Sequence, residues 1–183
     1  MKVIYLIVMM FAGLMFTAEL VADDASANLL KGGNFTELND KGCPAGWRSN
    51  QSCFSLDQTV RPEGVGQSLK VAVEKDGKYL GDISQKVKVK PQTDYIFTCL
   101  VKASAKVGVI MIKLLDANGK EVKRISSSAT VGSGWETLKI NFSTGEADIV
   151  LAMLRYTQKT GETLWFSSPT LIEEIKSGNV VAN

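Results

Sequence analysis

QKVKVKPQTDYIFTCLVK, residues 85–102, decides the class of this chain. Its first half sets Val87 and Val89 against Lys86, Lys88 and Lys90 in strict alternation. A period of two sends successive side chains to opposite faces of an extended strand. Pro91-Gln92-Thr93-Asp94 then breaks the run, because proline cannot donate to a ladder and Thr and Asp favour turns. Alternation resumes with Tyr95, Phe97, Cys99 and Val101 on one face. The stretch reads as strand, turn, strand: the end of a strand over 79–89, then one over 95–102.

The same grammar extends in both directions. Asn28-Leu29-Leu30 and the Asn34-Phe35 region open the folded part. A short strand is expected over 52–56 and an alternating one over 68–73, with Leu69, Val71 and Val73 on one face. Downstream come strands over 107–116, 121–126, 135–142, 148–156 and 163–172. Asp116-Ala117-Asn118-Gly119 is a hairpin signal, because Asn-Gly readily supplies positive φ. Gly132-Ser133-Gly134, Ser143-Thr144-Gly145 and Lys159-Thr160-Gly161 mark further breaks. About nine or ten short strands with no sustained helical period argue for an all-β sandwich or barrel. Two of them, 107–115 and 149–154, are apolar on both faces, so each must be covered by loops or form the floor of a groove. The second ends in Arg155-Tyr156, which brings polar and aromatic groups to the end of that floor.

Residues 1–22 have the make-up of a signal peptide. Lys2 is the lone charge before an apolar run from Val3 to Phe16, shorter than the ~20 residues that span a bilayer. Cleavage fits after Ala22 or, by the Ala25-Ser26-Ala27 pattern, as late as residue 27. The first cysteine is Cys43, which argues against a lipid anchor. The expected location is therefore secreted, periplasmic or on the cell surface, with one domain over 28–174 and a frayed tail over 175–183. The chain of about 155–160 residues left after cleavage can bury a core without leaning on disulfides. Cys43 and Cys53 flank CPAGWRSNQSC, and an oxidising compartment makes a local disulfide the expectation there. Cys99 reads as an inert core thiol. The net charge of +2 is too small to point to a nucleic-acid or polyanion partner, and the scattered lysines read as solvated strand faces.

The chain has no histidine. That removes Ser-His-Asp and Cys-His machinery and any His-containing zinc site. No Walker, glycine-rich phosphate or EF-hand pattern is present. A carboxylate pair is the remaining enzymatic route. Asp57, Glu63, Asp82, Glu136, Glu146 and Glu162 lie mostly at strand ends or turns and in no motif, so the chain is expected not to be an enzyme. Binding is the better expectation. Sugars are met by aromatic platforms and by planar polar groups that exchange hydrogen bonds. The candidates are Trp47, Arg48, Tyr79, Gln85, Arg155 and Tyr156, with Gln158 beside them. Gln85 shares a face with Ile83 and Val87, where an amide needs a partner or a ligand. Trp47 reads as the exposed ring. Trp135 reads as structural, and Trp165 could pack on either face of its sheet.

The run Asn28-Leu29-Leu30-x-x-Gly33-Asn34-Phe35-Thr36-Glu37 resembles the "NLLxNGxFE" opening of carbohydrate-binding modules of the family 4/9/22 type. The likeness continues through Gly46-Trp47, Ser68–Val71, Gln85–Tyr95, Leu115–Gly119, Trp135 to Leu138, Phe142–Thr144 and Trp165-Phe166. It covers nearly the whole domain in order. The resemblance implies a jelly-roll sandwich of two antiparallel sheets, galactose-binding-like, that holds a poly- or oligosaccharide in a groove on one sheet. It also implies a structural calcium, held by an opening acidic residue and a last-strand aspartate. Glu37 matches the first, but the family's "WFDD" reads Trp165-Phe166-Ser167-Ser168 here. No catalytic domain is expected beside the module, so targeting in cis is not expected. The alternative is an envelope or extracellular β-sandwich that binds a protein partner in trans and no glycan.

Overall fold

The computed structural model describes residues 27–49, 53–72, 78–105, 108–130, 132–159 and 161–175. The signal-peptide segment and nearly all of the expected tail lie outside them. Nine strands follow in chain order: β1 (Phe54–Asp57), β2 (Ser68–Ala72), β3 (Lys78–Lys88), β4 (Asp94–Ala103), β5 (Gly108–Leu115), β6 (Glu121–Ser126), β7 (Glu136–Ser143), β8 (Ile149–Lys159) and β9 (Thr163–Glu173). The described residues contain no helix. A five-stranded sheet runs β1-β2-β9-β4-β7 and a four-stranded sheet runs β3-β8-β5-β6. Every pairing is antiparallel. The expected strands are found within a few residues, and two packed sheets decide the earlier choice in favour of the sandwich.

The opening stretch behaves differently at its two ends. The strands on either side of Pro91 belong to different sheets, so this turn carries the chain from one layer to the other. Gln92 takes a φ of 53° there, and its N–H reaches the Gly145 carbonyl at 2.6 Å. β4 alternates buried and half-buried over its full length. Tyr95, Phe97, Cys99 and Val101 are all buried against Leu138, Ile140 and Phe142 of β7 and Leu164, Phe166 and Leu171 of β9. The Tyr95 and Phe142 rings stack with centroids 5.9 Å apart. The Tyr95 hydroxyl accepts the Lys90 N–H at 3.1 Å, so this buried polar tip is satisfied. Burial holds the Cys99 thiol well above its ordinary pKa, as an inert core thiol requires.

The four-stranded sheet supplies the other half of the core: Ile83, Val87, Ile110, Ile112, Leu114, Val150, Ala152, Leu154 and Tyr156. Each fully buried side chain of this size stabilises the fold by about 1.5–3 kcal/mol. Tyr156 is large for its layer, and a glycine on β3 makes room for it. Its register partners are Gly81 on β3 and Gly108 on β5. A Cβ on Gly81 would overlap the Tyr156 hydroxyl.

The disulfide expected between Cys43 and Cys53 is not formed: both are free thiols. Cys43 is buried in the core, and that burial raises its pKa. Cys53 instead lies with its Sγ 3.4 Å from the Tyr156 hydroxyl. Core packing, not a crosslink, holds both ends of this loop.

Candidate functional site

The outer face of the four-stranded sheet is built by strand parity. Because Ile110, Ile112 and Leu114 enter the core, Val109, Met111, Lys113 and Leu115 of β5 point the other way. On β8 the outward set is Ile149, Leu151, Met153 and Arg155. Register aligns Ile149 with Leu115, Leu151 with Lys113, Met153 with Met111 and Arg155 with Val109. The two strands that read as apolar on both faces are therefore neighbours. Together they make a floor about 20 Å long. Met111 and Met153, at 5% and 6% exposure, lie low in it between their neighbours.

Cations flank this floor. On β3 the outward residues are Asp82, Ser84, Lys86 and Lys88, opposite Arg155, Met153, Leu151 and Ile149. The Trp47–Ser49 segment adds an edge beyond β3. Arg48 and Ser84 exchange backbone hydrogen bonds at 2.9 and 2.8 Å, so their side chains share a face. Ser49 Oγ donates to the Asp82 carbonyl at 2.8 Å and holds the edge in place. Asn39, Asp40 and Lys41, with Trp47 and Arg48, line an open pocket of about 550 Å³ beside it. On the β6 side, Glu121 bridges Lys113 at 3.0 Å and Arg124 at 2.8 Å. Hydrogen bonds from Arg124 and then Lys113 hold the Glu121 carboxyl down to about 2.

Arg155 stands at the end of the floor. Its Nη1 lies 3.9 Å from Met111 Sδ, and its Nε is buried with no acceptor among the described residues. Asp82 is its direct register partner on β3, yet among the described residues no ion pair joins them. Arg48, Lys86 and Lys88 are exposed and have no acidic partner there either.

Of the residues singled out by sequence, Arg48 and Arg155 come together on this face, and three others do not. Trp47 is 3% exposed and tilts against Phe35 with ring centroids 6.0 Å apart. It is a core residue, not the exposed platform expected of it. Its indole N–H finds no acceptor among the described residues. Tyr156 is 1% exposed and packs edge-on against Phe54. Burial first, then the Cys53 contact, push its hydroxyl pKa far up. Gln85 is buried as well, and its amide is fully engaged: Oε1 accepts the Lys31 N–H at 2.7 Å, and Nε2 donates to the Lys31 and Gly46 carbonyls at 2.9 Å. The partner expected for this amide is backbone, not ligand. Gln85 thus fixes the loop that delivers Arg48. Tyr79 and Gln158 pair in register, and their side chains are not among those described. Trp165 takes the outer face of the other sheet, in register with Lys70 and Lys102, and its Nε1 donates to Asp57 Oδ2 at 2.9 Å.

The calcium expectation meets a poor donor set. Glu37 is exposed, and no three Cys, Asp or Glu side chains gather among the described residues. At the last-strand position Ser167 and Ser168 face each other, Oγ to Oγ at 3.3 Å, in a stretch where β9 carries one residue more than β4. Calcium takes six to eight oxygen ligands, and these residues do not fit it.

No family model matches the chain, and no curated protein matches it by sequence. Solved structures do share its fold. TmCBM61, solved in complex with beta-1,4-galactotriose, aligns with a TM-score of 0.60 and 18% identity over 81% of this chain and 100% of that one. A family 16 carbohydrate-binding module gives 0.61 and 22% over 80% and 100%. Modules of families 4 and 22 align as well. The enzymatically active domain of bacteriophage CBA120 tailspike protein 4 gives 0.65 and 13%; this chain covers 80% of itself there but only 21% of that chain. The fold is the β-sandwich of carbohydrate-binding modules.

Proposed function

We propose that this chain is an exported, non-catalytic carbohydrate-binding protein that lays a poly- or oligosaccharide along the outer face of its four-stranded sheet. The observation that carries the reading is the floor of β5 and β8: apolar, about 20 Å long, and edged by Arg48, Lys86, Lys88 and Arg155. The C–H faces of sugar rings can lie on the Met and Leu side chains, while guanidinium and ammonium groups donate to hydroxyls. Its sandwich fold is shared with modules whose names state carbohydrate binding. Export rests on Lys2 and the apolar run that follows it. A floor of Met and Leu without a described aromatic ring also favours a second reading, a docking face for a protein segment.

Affinity electrophoresis of the purified chain through gels holding galactan, xylan, β-glucan or polygalacturonate tests the proposal. Retardation is expected in at least one gel. It should be abolished by Met153→Glu, which puts a charge in the floor, and kept by Lys139→Ala, which lies exposed on the other sheet. Free migration in every gel overturns the glycan reading. Turnover of a retained polysaccharide, lost when one carboxylate is changed, overturns the non-catalytic part.

A further inference from the structure

Resting on the glycan reading, we infer that the polysaccharide held by this face is anionic, carrying carboxylate or sulfate groups. Arg48, Lys86 and Lys88 stand along the β3 side of the floor and Arg155 at its end, with Asp82 in register opposite Arg155 and Asp40 in the pocket beside Arg48. The chain as a whole carries only +2. Among the described residues no ion pair answers these four cations, while the three ion pairs that do occur engage Lys90, Lys113 and Arg124.

A solvated lysine on a strand face needs no explanation, but Arg155 does. Part of its guanidinium is buried beside a thioether, a weak acceptor. A planar guanidinium pairs bidentately with carboxylate and with the oxygens of sulfate-like groups. On β3, Lys86 and Lys88 lie two residues apart on one face, so their Cα atoms are about 7 Å apart. That spacing can serve successive charged residues of an extended chain. The floor itself offers neutral, apolar contact between these points. A neutral glycan would leave the cations without counter-charge, whereas an acidic one supplies it along the whole groove.

The experiment is isothermal titration of the full folded chain with polygalacturonate, its carboxyl-reduced neutral counterpart, dextran sulfate and duplex DNA, at 0.05 and 0.5 M salt. Binding to polygalacturonate or dextran sulfate is expected at least about tenfold tighter than to the neutral polymer. Salt should weaken it, because added ions shorten the screening length. The acidic polymer that binds identifies carboxylate or sulfate as the anion. Arg155→Ala and the exposed double variant Lys86→Ala/Lys88→Ala should each cost about tenfold, with Lys139→Ala near wild type. The double variant guards against a folding defect at position 155. Equal affinity for the neutral polymer overturns the inference and leaves the glycan reading standing. Binding to none of the glycans overturns both. DNA bound as tightly as the acidic glycans, or equal loss in Lys139→Ala, marks a non-specific polyanion effect and overturns the inference.

Discussion

The outer face of the five-stranded sheet and that of the four-stranded sheet come from the same alternation, yet their side chains are served differently. On the first, Thr98 and Thr170 share a hydroxyl hydrogen bond of 2.7 Å, and Trp165 donates to Asp57. Lys139 and Asn141 stand in water. Its polar groups are satisfied by one another or by solvent. On the second, Met111, Met153 and Leu115 are almost covered while facing away from the core, and among the described residues Arg48, Lys86, Lys88 and Arg155 beside them form no ion pair. The lesson is that a sandwich needs only one buried face per sheet. An apolar second face, with charges held at its border, is not required for folding.

The comparison assumes that both faces stand on one shared core, and the largest effect should test that. Leu154→Ala empties a fully buried site beneath the floor and should cost about 2–5 kcal/mol in urea unfolding. A much smaller loss would mean the four-stranded sheet is loosely packed and its outer face unreliable as a rigid floor. Next in size is a release of charge. Glu121→Gln frees Lys113 and Arg124 from their shared carboxylate and should tighten polygalacturonate binding by about two- to fivefold. Unchanged affinity would confine the cationic border to the β3 side.

The smallest effect concerns the satisfied face. Burial works to raise the Asp57 pKa, but hydrogen bonds from the Val60 N–H, the Trp165 indole and the Thr59 N–H, with the charge of Lys70, hold it below the ordinary aspartate value. A depressed folded pKa contributes stability above the unfolded value, and that stability is lost as pH falls through the folded one. Asp57 is half-buried at the sheet surface and still screened by solvent, so the contribution is small. Trp165→Phe should cost a few tenths of a kcal/mol at pH 7 beyond any packing change, and this difference should shrink below about pH 4. Glycan binding at neutral pH should not change. A pH-independent difference would show that the indole N–H does not act through Asp57.

The net charge of +2 pointed away from a polyanion because a sum over the sequence averages over the whole surface. Lys86 and Lys88 read as ordinary solvated lysines. Their importance lies in alignment with Leu151 and Ile149, which are distant in sequence and meet only in the sheet. The sulfur pair Met111 and Met153 was missed for the same reason, although the two-sided apolar runs that contain it were visible.

By itself the sequence determined the strands, the turns between them, the inert core thiol Cys99 and the two strands that form the floor. Those features are local: period two, proline and glycine chemistry, and β-branched or aromatic runs act over a few residues. Only the tertiary structure decided which member of each adjacent pair faces outward. Trp47 and Arg48 part to opposite faces, as do Arg155 and Tyr156, because neighbours on extended chain must. The alternation Val150, Ala152, Leu154, Tyr156 already hinted that Tyr156 goes inward. For Trp47 no strand pattern exists, and the pairing of Arg48 with Ser84, steadied by Gln85, made the choice. The chain dictated its elements through short-range stereochemistry. The apolar outer floor, the cations beside it and the free state of Cys43 and Cys53 depend on contacts between residues far apart in sequence, and those exist only once the two sheets have packed.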